Sequence, residues 1–143
     1  MTGLTQLNGQ LAQLEAELQR ATRLATAHAA HLAEAAIKQM LTTSSHPKGT
    51  PTPSAPGDPP SLVTGTLRRS IKVKGPVPAG FGRWLAEVGP TAVYGRVQEL
   101  GGTAGRGSVL PPRPYVQPAF EQLVASGAIA RSYHLAWRAA LAH

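Results

Sequence analysis

The chain has 143 residues, 42 % hydrophobic but only 5 % aromatic, with no cysteine and a formal net charge of +7. That length suits one domain with a modest core, and the lack of thiols excludes disulfides, thiolate nucleophiles and cysteine zinc sites. No run of about 20 apolar residues is available to span a bilayer, and the N-terminus lacks the basic and apolar stretches of a secretory leader, so a soluble protein made in the cytoplasm is expected.

Leu4, Leu7, Leu11, Leu14, Leu18, Ala21, Ala25, Leu32 and Ala35 recur at alternating spacings of three and four. This period predicts an amphipathic helix over 4–42, capped by Thr2 or Thr5. At about 1.5 Å per residue it is a rod of about 58 Å. The remaining chain is too short to cover such a stripe. Packing between subunits is the expected remedy, with a kink near 22–26 as the alternative. The second half of the helix is rich in alanine, which lets a neighbour approach closely. Residues 43–61 form a linker or long loop, because six prolines among positions 46–60 remove backbone donors and forbid helix.

Two strand candidates follow. In 67–74 apolar and basic side chains alternate, directing Leu67, Ile71 and Val73 to a core and Arg68, Lys72 and Lys74 outward. The glycines and prolines of 75–82 read as a turn, and 83–89 alternates again as an antiparallel return strand. A short helical turn is expected over 92–100, carrying Val93, Val97 and Leu100. The glycine-rich 101–108 reads as a mobile loop. Residues 111–115 are extended, since residues before proline avoid the helical region. Pro118 suits a first helical position and opens an amphipathic C-terminal helix to about 141, with Gly127 marking a bend. The expected class is α+β, in one domain over 1–143: a long N-terminal helix (4–42), a proline-rich loop (43–61), then a small antiparallel sheet and a C-terminal helix (62–143).

Few residues suggest site chemistry. His28, His31 and Glu34 share a helix, but His46, His134 and His143 are isolated, so solvent-facing histidines are the better reading than a metal site. The 101–107 glycines lack the lysine–hydroxyl ending of a phosphate-binding loop. Seven acidic residues are scattered along the chain and form no paired carboxylates, and no nucleophile sits with a base, so neither an enzyme nor a cofactor is expected. The charge is asymmetric. Residues 61–143 carry ten Lys and Arg against three Glu, whereas 1–60 are balanced at four and four. Arg68, Arg69, Lys72 and Lys74 form either a solvated face or a surface for phosphates or an acidic partner, and phosphate contacts there would be blind to sequence.

Three motifs occur in order: 64–71 fits TG-x-L-R-x-S-I, 94–101 fits Y-x-x-x-x-E-x-G, and 113–119 fits R-P-F/Y-x-x-P-A. On these the chain resembles the tailed-phage tail-completion or head–tail joining proteins, the lambdoid gene-ten-type tail components related to lambda minor tail protein Z. The positions carrying the resemblance are Gly65, Leu67, Tyr94, Glu99, Gly101, Arg113, Pro114, Tyr115 and Pro118. It implies a structural virion protein of the neck or tail, made in the host cytoplasm. The implied assembly is a ring, sixfold, around the DNA channel, touching connector or stopper, tail terminator and tail tube, with DNA passing through unread and no membrane involved. The Arg68, Arg69, Lys72 and Lys74 face would then meet the channel or an acidic neighbour. The alternatives are a tail terminator or other connector ring and, from a different class, a sequence-independent DNA-binding protein. Independently of the family, Gly65 allows a tight entry to the strand, Gly101 and Gly102 open backbone conformations closed to other residues, Pro114 and Pro118 stiffen the approach to the last helix, and Tyr115 and Phe120 are the expected packing anchors.

Overall fold

The computed structural model describes residues 2–43, 54–61 and 64–142. The proline-rich stretch 44–53, with His46 and Lys48, and His143 lie outside them.

Thr2–Met40 form one unbroken helix, α1. Beyond Gly9 it contains neither glycine nor proline, and alanine, leucine, glutamate and glutamine favour helix throughout. The kink considered near 22–26 does not occur. Thr22 and Thr26 each donate a hydroxyl hydrogen bond one turn back, to Leu18 O at 2.7 Å and Thr22 O at 2.8 Å, so these side chains are accommodated without opening the ladder. The helix has two unlike halves. Ala21, Ala25, Ala30, Ala33 and Ile37 are buried, whereas Leu4, Leu7, Leu11 and Leu14 are 37–64 % exposed.

A short helix, α2 (Thr66–Ser70), precedes the first strand. This corrects the strand expected from residue 67. Gly65, left-handed at φ 71°, begins a helical turn closed by Arg69 N donating to Gly65 O at 2.9 Å. Helix and strand place Leu67 and Ile71 on the same inner side, so the apolar spacing did not distinguish them. Strand β1 (Ile71–Pro78) pairs antiparallel with β2 (Trp84–Pro90), with Val73 opposite Val88 and Lys74 opposite Glu87. The register shifts between Lys74 and Val77. There Gly75 has φ +91°, and a Cβ on it would lie 2.7 Å from Leu85 O, so the irregularity needs glycine. The strand therefore runs into the stretch expected as a turn, and the chain reverses only around 79–83. A two-stranded ribbon is marginal alone. This one leans on α1, where Trp84 Nε1 donates to Gln19 Oε1 at 3.1 Å and the Arg23 guanidinium lies over the Trp84 ring.

The helical turn expected here is α3 (Gly95–Leu100), with Val97 half-buried and Val93 and Leu100 exposed. The glycine-rich stretch expected as an open loop forms a hairpin, β3 (Gly102–Thr103) with β4 (Val109–Leu110), around a turn at Gly105–Gly107. The C-terminal helical segment is in two pieces, α4 (Val116–Ala125) and α5 (Ala128–Ala140), with left-handed Gly127 between them. Pro118 is third in α4 rather than first. Helix α5 packs along α1 through Tyr133, whose hydroxyl lies 2.8 Å from Thr26 Oγ1, and Trp137, whose Nε1 donates to Thr22 Oγ1 at 2.9 Å. The core joins both ends of the chain: Ile37 and Leu41, Ile71, Tyr115 and Ala119. The architecture is α+β, as expected.

Candidate functional site

The second and third motifs meet in one joint. Glu99, at the end of α3, stands before the first turn of α4. Its Oε2 accepts from Tyr115 N at 2.7 Å and Val116 N at 2.9 Å, and its Oε1 from Gln117 N at 2.9 Å. The first amides of a helix have no partner within it and carry partial positive charge, so this carboxylate caps α4 from another element. Tyr115 inserts beneath, fully buried, and donates its hydroxyl to Gly95 O at 3.0 Å. Burial first, then the nearby Glu99 carboxylate and Tyr94, push that hydroxyl well above the usual phenol range, so it remains a donor. Gly95 has to be glycine, because a Cβ there would lie 2.6 Å from the Pro90 ring and 3.2 Å from the Tyr115 hydroxyl. Gly101 combines φ +71° with approach to Leu110 O and Pro112 N, each 2.9 Å from an added Cβ.

Arg113 belongs to the same joint. It is 7 % exposed, its amide donates to Gln98 O at 2.7 Å, and its Nε donates to Ser54 O at 3.0 Å. Gly57 N also donates to Pro112 O at 3.0 Å, so the motif arginine and its neighbour tether the described end of the proline-rich segment. Pro114 is half-buried between Arg113 and Tyr115. From the first motif, Leu67 packs on the core cluster, while Gly65, with Tyr94 of the second motif, lines a cavity of about 160 Å³. Gln98 Oε1, also at that cavity, is buried without a hydrogen-bond partner among the described residues. Phe120, expected as an anchor, is 48 % exposed.

The four cations lie on two elements, Arg68 and Arg69 on α2 and Lys72 and Lys74 on β1. Lys72 and Lys74 alternate on the outer side of β1, with Glu87 opposite Lys74. Arg68 sits on α2 and its Nε reaches Lys38 O at 3.4 Å, near the negative end of α1, and Arg69 is exposed on the same short helix. Among the described residues the ion pairs gather on Glu34, 2.6 Å from Lys38 and 3.2 Å from His31. These two hydrogen bonds, Lys38 first, hold the Glu34 carboxyl below the usual range. His28 faces Ser132, its Nδ1 3.0 Å from Ser132 Oγ, and no cluster among the described residues has the makings of a metal site.

Another open feature involves none of the motif positions. Leu11, Leu14 and Leu18 floor a groove of about 700 Å³, walled by Phe81 at the ribbon's tip and by Trp137 and Leu141 at the end of α5. The leucine period could have pointed to its floor. Its walls come from a turn and a helix end distant in sequence, and no pattern marks them. No helix among the described residues is long and apolar enough to cross a membrane. The chain matches no family model, no curated protein and no solved structure.

Proposed function

We propose that this chain is a structural virion subunit of the tailed-phage neck or tail, which completes tails or joins heads to them as a ring around the DNA channel. One observation carries the reading. The Y-x-x-x-x-E-x-G and R-P-F/Y-x-x-P-A segments, separate in sequence, fold into a single joint in which Gly95, Glu99, Gly101, Arg113 and Tyr115 each have a fixed physical task. The joint is occupied by its own hydrogen bonds, which favours a role in shape over one in chemistry. The open surfaces, a leucine-striped rod and exposed cations, are of the kind that assembly uses.

Electron microscopy of particles from a phage lacking this protein tests the proposal. Filled heads beside finished, unattached tails are the expected result, and normal joined virions would sink it. Tails of uncontrolled length would instead mark a terminator, since a terminator stops a polymerising tube. The DNA-binding reading draws on Arg69, Lys72 and Lys74, which are exposed and form no ion pair among the described residues. Submicromolar DNA affinity that collapses as salt rises would favour it. A channel subunit instead lets DNA slide and binds it weakly when free.

A further inference from the structure

We infer that the exposed N-terminal half of α1 is a self-recognition element, and that two copies of the chain pair these halves antiparallel, each seating its tip in the groove of the other. The inference goes beyond the neck reading and does not depend on it, because the stripe is open in the chain whatever the chain later joins.

The spacing comes first. Leu4, Leu7, Leu11, Leu14, Leu18, Ala21 and Ala25 follow a strict three–four alternation. A period of 3.5 keeps a stripe facing another helix along a left-handed supercoil, whereas a helix lying on a globular core drifts at 3.6. The last two positions of that alternation, Ala21 and Ala25, are buried within the chain, and the buried positions that follow, Thr26, Ala30, Ala33 and Ile37, lie on a stripe shifted by one residue. The positions of the alternation held by leucine, Leu4 to Leu14, are the ones the domain leaves bare, whereas those held by alanine are covered.

Charge then selects the occupant and its direction. Residues 2–14 contain no charged side chain, so two copies, each of net charge +7, meet there without repulsion. The leucines are flanked by amides at the tip, Asn8 and Gln10, and by carboxylates at the root, Glu15 and Glu17. In an antiparallel pair with Leu7 opposite Leu18 of the second copy, Leu11 faces Leu14, and the tip's amides lie beside the root's carboxylates as donors to acceptors. In a parallel pair the two bodies would compete for one level, because Phe81 and Trp137 wall the stripe at its root in both copies. Antiparallel pairing sets the bodies at opposite ends. It also extends the contact beyond the two rods. Phe81, 93 % exposed, and Leu141, 56 % exposed, close over the incoming tip, adding to the area that a stable interface of about 800 Å² per partner requires.

The experiment exploits the lack of native cysteine. Full-length protein carrying both Leu7→Cys and Leu18→Cys is oxidised and compared with the Leu7→Cys single variant. The two positions are about 16 Å apart along one helix, far beyond the Cα separation of about 4–7 Å that a disulfide spans, so no bond closes within a chain. The expected result is closed covalent dimers from the double variant, none from the single one, and a concentration-dependent dimer of the unmodified protein in sedimentation equilibrium. Leu7→Asp should weaken that dimer by roughly 100-fold or more, and Phe81→Ser should weaken it less, both with an unchanged helical circular dichroism spectrum. Cross-linking through Leu7→Cys alone means parallel pairing, a ladder of multimers means head-to-tail contact, and a monomer at every concentration leaves the groove to a different protein. Any of these overturns the inference.

Discussion

Tyr115 and Phe120 lie five residues apart on one segment, yet the first is fully enclosed and the second 48 % exposed. Tyr115→Ala is therefore expected to cost about 3–5 kcal/mol, and Phe120→Ala under about 1 kcal/mol, in chemical unfolding of the two variants. Tyr115→Phe keeps the ring but strands the Gly95 carbonyl, at about 1–3 kcal/mol. A loss near zero for Tyr115→Phe would show that water reaches that carbonyl. Glu99 is the other decisive side chain. Three backbone amides converge on it, so Glu99→Ala should cost about 1–3 kcal/mol and speed hydrogen exchange in the first turn of α4 before any other part of the chain. Uniform acceleration throughout would mean that Glu99 serves the global fold and not this helix end. The sequence pointed to Tyr115 as a packing anchor, which its burial bears out, and to Glu99 only as a motif position. The Tyr115 hydroxyl bond and the Glu99 cap were not legible, because a partner supplied from another element has no local spacing to betray it.

Helix α1 shows how one element can carry two energetic regimes. Ile37 is 1 % exposed and Leu7 49 %, although both are apolar residues of the same helix. Ile37→Ala should cost about 2–5 kcal/mol, whereas Leu7→Ala should leave monomer stability within about 0.5 kcal/mol, as read from thermal unfolding in dilute protein. The Glu34–Lys38 pair belongs to the same helix, with the acid one turn before the base, the favourable order. The folded Glu34 carboxyl holds its proton less tightly than the unfolded one, so its contribution is fully present above the ordinary carboxylate range. It disappears as the pH falls through the depressed folded value. The size is small for a pair at a helix surface, about 0.2–0.5 kcal/mol. Glu34→Gln should therefore lower stability slightly at neutral pH and not at all in strong acid, and an equal loss at both would place the effect in packing rather than charge.

Across the whole molecule, the domain body is gathered on one end of a rod that extends beyond it. Its core of Ile37, Leu41, Ile71, Tyr115 and Ala119 draws on α1, β1 and α4 and on the segments after α1 and before α4, so the end of α1 and the start of α4 depend on each other. The free half of α1 has no such support. In dilute monomer its amides should exchange quickly while those around Ala30 and Ile37 remain protected, and slow exchange at both ends in the monomer would contradict this division. Both tryptophans anchor to the middle of α1, through Gln19 and Thr22, where the body ends and the rod begins.

Local periodicity was enough to specify the class, the long first helix, the pairing of 71–74 with the return strand, and the surplus of leucines over anything the chain could cover. Each of these is written in a period, and a period follows from the geometry of one element alone. Tertiary structure alone decided that 66–70 is helical, that the glycine-rich segment is a hairpin, that Glu99 caps a helix beginning at Val116, and that Phe81, Trp137 and Leu141 wall the leucine groove. It did so because these features depend on which distant groups arrive beside one another. A backbone amide accepts whichever partner the fold delivers, and a short apolar run serves helix or strand according to what it packs against.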